Sequence, residues 1–168
     1  MMQDFVKPIL ALSLICLFMA GALALVNGAT QPIIVAAAAE RAEAARRDII
    51  PHADDFVLVE HADFAASIIE AYSTTNNVGH IFIVAVRGYG GEMRVIIGVD
   101  SNGGIIRSLV LSHAETVGLG TRVFDMAASM EAGGGSLLDI DTIAGSTITT
   151  DAYQLALQEA LSAFELLR

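Results

Sequence analysis

The chain has 168 residues, of which 54% are hydrophobic, and its mean hydropathy of +0.60 is high for a soluble domain. Its formal net charge is -10, and an acidic chain repels phosphate backbones, which argues against a nucleic-acid-binding protein. Its single cysteine, Cys16, excludes an internal disulfide framework and an iron–sulfur cluster held by this chain alone.

The first element is an apolar segment from Pro8 to Val26 that contains no charged residue. A helix of roughly 20 such residues spans a bilayer, and the segment exceeds the usual signal-peptide core of about 7–15 residues. We therefore predict a single-pass anchor over residues 1–28. The alternative is a secreted enzyme released by signal cleavage, since Ala22-Leu23-Ala24 resembles a cleavage site. Lys7 favours a cytoplasmic N-terminus, with the rest of the chain outside the cytoplasm.

A helical linker is predicted next, over residues 29–51. It is rich in alanine, and Glu43 and Arg47 lie four residues apart, where they can pair on one helix face. Pro51 ends this helix. Beyond it, residues 56–59 form a short apolar run typical of a strand, whereas residues 66–75 fit a strand and a helix equally well.

Three strands are predicted over residues 80–86, 93–99 and 105–111. The first two are joined by the glycine-rich segment Arg87–Gly91. The second and third are joined by a turn containing Asn102-Gly103, the strongest short hairpin signal. The sequence therefore predicts an antiparallel meander of at least three strands.

Two helices complete the predicted domain. One covers residues 121–130 and is stopped by Gly133–Gly135, and the other carries an apolar stripe at helical spacing near the C-terminus. Thr149 or Thr150 is its predicted N-cap, with Asp151 in the first turn. The fold class is α+β: a single N-terminal transmembrane helix, then a domain over residues 52–168 whose antiparallel sheet has helices packed on one side.

Two loop segments stand out chemically, whereas metal-protease, nucleophile-elbow and nucleotide-loop motifs are missing from the sequence. One is His113–Gly120, directly after the third strand. The other is Asp141–Thr150, before the last helix. Its Gly145 and Ser146 let a bulky group approach the backbone, Thr147 offers a hydroxyl, and the helix start favours a phosphate. From the residues alone, however, a polar loop with a threonine cap is the favoured interpretation.

Together the two motifs resemble the FMN-binding domain family, and within it the G subunits of Rnf-type electron-transport complexes. The related C subunits of sodium-pumping NADH:quinone oxidoreductase are the second choice, because they are typically longer after the anchor. The family pattern glycine-tyrosine-glycine-glycine is Gly88–Gly91 here. After a strand and a hairpin, the pattern E-T-P-G-L-G is Glu115–Gly120, with Val117 in place of proline. The flavin-attachment pattern D-x-x-(S/T)-G-A-T is Asp141–Thr147, with Ala144 and Ser146 as departures. These departures leave open a non-redox assembly subunit whose flavin site is degenerate.

The resemblance implies that a flavin transferase moves FMN from FAD onto Thr147 as a phosphoester, and that Asp141 belongs to the sequence it reads. It implies that Leu119 packs on the isoalloxazine, that Glu115 or Thr116 bonds its polar edge, and that the start of the last helix holds the phosphate. The cofactor-binding residues that it implies are Thr147, Gly145, Ser146, Asp141, Thr149, Thr150, Glu115, Thr116, Gly118, Leu119 and Gly120.

The same resemblance implies an electron carrier that needs no catalytic acid, base or nucleophile and no metal. Its partners would be the membrane lipid and the other subunits of an Rnf-type complex. That complex couples electron transfer between ferredoxin and NAD to sodium or proton movement.

Overall fold

The structure is a computed structural model that describes residues 2–132 and 136–168. The chain forms two compact units, Met1–Arg41 and Ala42–Arg168. The predicted glycine stop at residues 133–135 lies outside the described residues. In chain order the elements are α1 (Met2–Ile49), β1 (Phe56–Leu58), β2 (Ile68–Thr74), β3 (Gly79–Arg87), β4 (Glu92–Asp100), β5 (Ile105–Ser112), α2 (Arg122–Ala132), a short 3-10 helix (Leu137–Asp139) and α3 (Thr147–Leu167).

The first unit consists of the apolar part of α1. Large side chains such as Leu17, Phe18 and Leu25 are exposed along it, as expected for a helix surrounded by lipid. Within the described part of the chain, α1 is the one helix long and apolar enough to cross a membrane. The same properties fit a signal sequence. The helix continues through Pro32 and ends at Ile49, just before the predicted stop at Pro51.

The second unit is built on a five-stranded antiparallel sheet in the order β1-β2-β3-β4-β5. The predicted meander is confirmed, and β3 pairs with β4 over its whole length from Gly79↔Asp100 to Arg87↔Glu92. The segment that the sequence left undecided is strand β2, which carries an irregularity between Ile68 and Glu70. The sheet brings the β3–β4 turn and the end of β5 to the same edge of the domain.

The two faces of the sheet are covered by different helices. On one face, alternate β3 and β4 side chains such as Phe82 and Ile97 form the main core, and α3 packs there through Tyr153 and Leu157. This packing confirms the prediction that the C-terminal helix lies on the sheet with its apolar stripe.

The opposite face carries a smaller core that the sequence did not predict. Ile81, Ile83 and Ile96 pack there against Ile49 and Ile50 from the end of α1 and the residue after it. The prediction that helices cover only one side was therefore incomplete. Residues 29–51 were predicted to be a helical linker, but the end of this segment, including Ile49 and Ile50, belongs to the second unit.

Gly98 in β4 is required by this second core. A Cβ at Gly98 would overlap Cγ2 of Ile49, which is 1% exposed. We expect Gly98→Ala to lower the free energy of unfolding by about 2 kcal/mol, because overpacking forces side chains out of their preferred positions. Urea unfolding of the full chain in detergent, followed by circular dichroism, measures this. Adding Ile49→Ala removes the overlapping methyl group, so the double variant should lose less free energy of unfolding than the two single variants combined. If the two losses simply added, the proposed contact between residues 98 and 49 would be contradicted.

Candidate flavin site

A cavity of about 380 Å³ opens among three loops of the second unit: the β3–β4 turn, the β5–α2 connection and the start of α3. Its volume falls within the roughly 300–1,000 Å³ typical of small-molecule sites. It brings together the two motifs that the sequence singled out. The lining residues are Tyr89, Glu115, Thr116, Leu119, Gly120, Gly145, Ser146, Thr147, Ile148 and Thr149.

Three of the residues implied by the resemblance do not line the cavity. Asp141 is exposed before α3. Gly118 has a positive φ of 79°, and its amide donates to Thr121 Oγ1 at 3.0 Å, so it shapes the β5–α2 turn. The Thr150 amide and hydroxyl both donate to the Ser146 carbonyl, each at 2.9 Å, so neither is free for a phosphate.

The start of α3 is left open toward the cavity. The helix begins at Thr147 with Ser146 as its N-cap, and the prediction of Thr149 or Thr150 as N-cap was wrong. Asp151 accordingly lies beyond the first turn. The Ser146 side chain makes no capping bond to the residues that the structure describes; its hydroxyl lies 3.4 Å from the Gly120 carbonyl, to which it donates. The first amides of a helix lack intrahelical partners and carry partial positive charge, which suits an anion.

Thr147 is exposed, whereas Thr149 and Thr150 are buried within the same helical turn. Successive helical residues point in directions about 100° apart, so Thr147 and Thr149 lie on nearly opposite sides of the helix. The structure thus presents one threonine hydroxyl of this first turn at the cavity wall with solvent access.

The apolar wall of the cavity depends on Gly145. This residue has a φ of +83°, which side-chain-bearing residues rarely adopt, and a Cβ there would lie 3.3 Å from Leu119 Cδ1. The loop before α3 can therefore lie close to Leu119. Leu119 and Ile148 remain 44% and 55% exposed, so the wall is apolar yet open.

Glu115 is a buried carboxylate, 6% exposed, that joins all three loops. Its Oε1 accepts from the Gly90 amide at 2.9 Å, and its Oε2 accepts from Thr149 Oγ1 at 2.7 Å. With both oxygens engaged inside the protein, Glu115 positions the walls of the cavity. The resemblance gave Glu115 and Thr116 as alternative hydrogen-bonding partners for the polar edge of the flavin. Of the two, Thr116 is exposed and has the freer side chain.

Sequence reasoning missed Tyr89 and Ile148 as lining residues. Ile148 directly follows the Thr147 position, and the resemblance drew attention to its polar neighbours instead. Tyr89 carried a visible signal, because it is the one side chain between Gly88 and Gly90-Gly91 in a turn that faces the second motif.

The cavity has the features that FMN requires. The uncapped amides of α3 suit its phosphate, and the apolar wall formed by Leu119, Ile148 and Tyr89 suits its isoalloxazine ring.

Comparison with known proteins agrees with this geometry. The FMN-binding domain pattern matches residues 88–162, from the glycine turn into α3. The chain is 32% identical over 195 residues to the G subunit of the ion-translocating oxidoreductase complex of Shewanella amazonensis, covering 96% of this chain and 88% of that protein. The corresponding G subunits of Stutzerimonas stutzeri and Cereibacter sphaeroides are each 34% identical over 125 and 124 residues, covering 68% of this chain and 54% and 56% of theirs.

Behind its N-terminal apolar helix, the protein therefore carries an FMN-binding domain. The similarity extends over nearly the whole chain. The chain belongs to the family of ion-translocating oxidoreductase complex G subunits.

Proposed function

We propose that this protein is the electron-carrying G subunit of an Rnf-type ion-translocating complex and holds FMN as a phosphoester on Thr147. The observation that carries the proposal is the position of Thr147. Its hydroxyl lies on the first residue of α3, exposed at the cavity wall, beside backbone amides that the N-cap side chain leaves free. A phosphate esterified there would accept hydrogen bonds from those amides without displacing any described contact.

The attachment step balances with FAD as the donor and a flavin transferase as the catalyst. The Thr147 oxygen bonds to the phosphorus on the riboflavin side of the FAD pyrophosphate, the bond to AMP breaks, and AMP leaves while the hydroxyl proton is released. The chain gains one FMN less one water and no electrons are exchanged. The buried Thr149 and Thr150 cannot compete, because their hydroxyls donate to Glu115 and Ser146.

Once bound, FMN supplies the electron chemistry, and the chain supplies position and surroundings. The first amides of α3 hold the phosphate. Leu119 and Ile148 keep water from the ring, and Thr116 offers a hydroxyl to its polar edge. No side chain is required to act as acid, base or nucleophile toward a substrate.

The proposed location is the cytoplasmic membrane, with α1 as a retained single-pass anchor and the FMN-binding domain on the extracytoplasmic side. The length and apolar surface of α1 support the anchor, and Lys7 before the apolar segment supports the orientation. The partners are then the other subunits of the complex, together with the flavin transferase during maturation.

Intact mass of the full chain co-expressed with a flavin transferase tests this proposal. We expect the parent to gain one FMN less one water and Thr147→Ala to gain nothing. Thr142→Ala, at an exposed threonine in the same motif, is the matched control and should keep the full gain.

An unmodified parent, with the transferase active on another substrate, would contradict the electron-carrier proposal and favour a non-redox assembly subunit. The same spectrum reports whether the N-terminal segment is retained, since signal cleavage near Leu25 would remove its mass.

A further inference from the structure

Tyr89 is an exposed aromatic side chain at the mouth of the proposed flavin site. It lies in the turn between β3 and β4, it is 75% exposed, and it lines the cavity. An aromatic ring left largely in water is a candidate contact for a ligand rather than a core residue.

The backbone beneath Tyr89 is held in place. The Gly88 amide donates to the Gly91 carbonyl at 2.9 Å, and the Gly90 amide donates to Glu115 Oε1. A Cβ at Gly88 would overlap Glu115 Oε1, and a Cβ at Gly90 would overlap the Ala114 carbonyl oxygen. The turn therefore requires glycine on both sides of Tyr89 and presents that one side chain from a fixed base.

Glu115 also fixes this base relative to the attachment point. The same carboxylate that binds the Tyr89 turn accepts from Thr149 Oγ1, two residues after Thr147. The separation of the Tyr89 backbone from the start of α3 is thus set by one buried side chain. A planar group tethered at Thr147 has Leu119 and Ile148 on its apolar wall and Tyr89 at the same opening.

We propose that the Tyr89 ring stacks on the isoalloxazine and shields one of its faces from water. This inference rests on the proposed function, because it requires FMN on Thr147. Aromatic rings prefer offset stacking or edge-to-face contact, and the tricyclic flavin offers a broad planar partner. An electron-rich phenol in van der Waals contact also quenches flavin fluorescence, because it donates an electron to the excited ring and recovers it without net reaction.

The test uses the FMN-loaded full chain in detergent, with the emission divided by the bound flavin counted by intact mass. For Tyr89→Leu we expect roughly two- to tenfold higher emission per flavin, because a stacked aromatic pair keeps roughly two to ten times more of the flavin stacked than unstacked. Added iodide should also quench the flavin of this variant faster than that of the parent. Tyr89→Phe keeps a stacking ring but is a poorer electron donor. It should recover part of the emission while retaining the parent's protection from iodide.

Val117→Ala is the matched control, since Val117 is 85% exposed on the neighbouring loop and does not line the cavity. Its emission and iodide quenching should equal those of the parent. Parent-like emission and iodide quenching in both Tyr89 variants, at full flavin mass, would overturn the stacking contact and leave the proposed function intact. A parent without flavin mass would overturn the proposed function and this inference with it.

Discussion

Replacing Glu115 with alanine is expected to lower the free energy of unfolding by about 3 kcal/mol, because the carboxylate accepts two hydrogen bonds in a buried position. The alanine variant leaves the Gly90 amide and the Thr149 hydroxyl without their acceptor. It also leaves a void among Gly88, Gly90 and Gly120, whose backbones lie close around the carboxylate.

Glutamine at position 115 should lose about half as much, because its carbonyl oxygen can still accept from the Gly90 amide while its NH₂ group faces a hydroxyl that can accept. Urea unfolding of the full chain in detergent ranks the variants. Glu92→Ala is the control: among the residues that the structure describes, Glu92 forms its ion pair with the exposed Arg94, and the loss should stay within about 0.5 kcal/mol. If Glu115→Ala matched Glu92→Ala, Glu115 would not be joining the three loops.

The second prediction is a loss of stability at high pH caused by Tyr153. This α3 residue is 1% exposed in the main core, where its hydroxyl shares a hydrogen bond with Ser108 Oγ. Burial raises the pKa of Tyr153 to about 12, and the nearby Glu131 carboxylate also raises it. The unfolded chain releases this proton near pH 10, so between about pH 10 and 12 the folded state binds more protons than the unfolded state.

Stability from this group is therefore fully present below about pH 10 and falls as the pH rises toward 12. The full loss is about 3 kcal/mol for a shift of about two pKa units. Tyr153→Phe should be about 1 kcal/mol less stable at pH 8, because it loses the bond to Ser108, yet more stable than the parent near pH 12.

Unfolding curves of the flavin-free full chain at several pH values measure this crossing. Tyr89→Phe, at an exposed tyrosine, should run parallel to the parent. If the parent and Tyr153→Phe kept a constant difference from pH 8 to 12, the folded and unfolded pKa values of Tyr153 would be equal.

Local sequence signals were sufficient for most of the fold. Short apolar runs between glycine-rich turns, including the Asn102-Gly103 turn, predicted β3 to β5, and helical spacing of apolar residues predicted α3. Strand β2 was undecided because a short apolar run fits either state, and pairing with β3 decides it. The second core was missed because Ile49 and Ile50 follow a charged, alanine-rich stretch, and only the sheet shows what they pack against.

The site was harder to predict from the residues themselves. Its two motifs were recognised by resemblance, but the partners of Glu115 lie 25 and 34 residues away, and no local pattern encodes such contacts. The N-cap was misplaced because Ser146 and three threonines follow one another closely, and each of these residue types is a good cap. The contact between Ser146 and Gly120, which fixes where the helix begins, lies outside this local pattern. Tyr89 was missed because the role of its turn depends on the loop across the cavity.

The cavity wall is open to solvent, and this affects how tightly its residues must bind flavin. A group linked to Thr147 stays near the site at an effective concentration on the order of millimolar, whatever the amount of free FMN around the protein. The wall therefore need not bind free flavin tightly, and Tyr89 and Ile148 can remain largely exposed. An exposed cofactor edge is what a neighbouring redox protein needs for rapid electron exchange. The proposed link to Thr147 would thus separate retention of the flavin from its accessibility, two demands that a dissociable cofactor would set against each other.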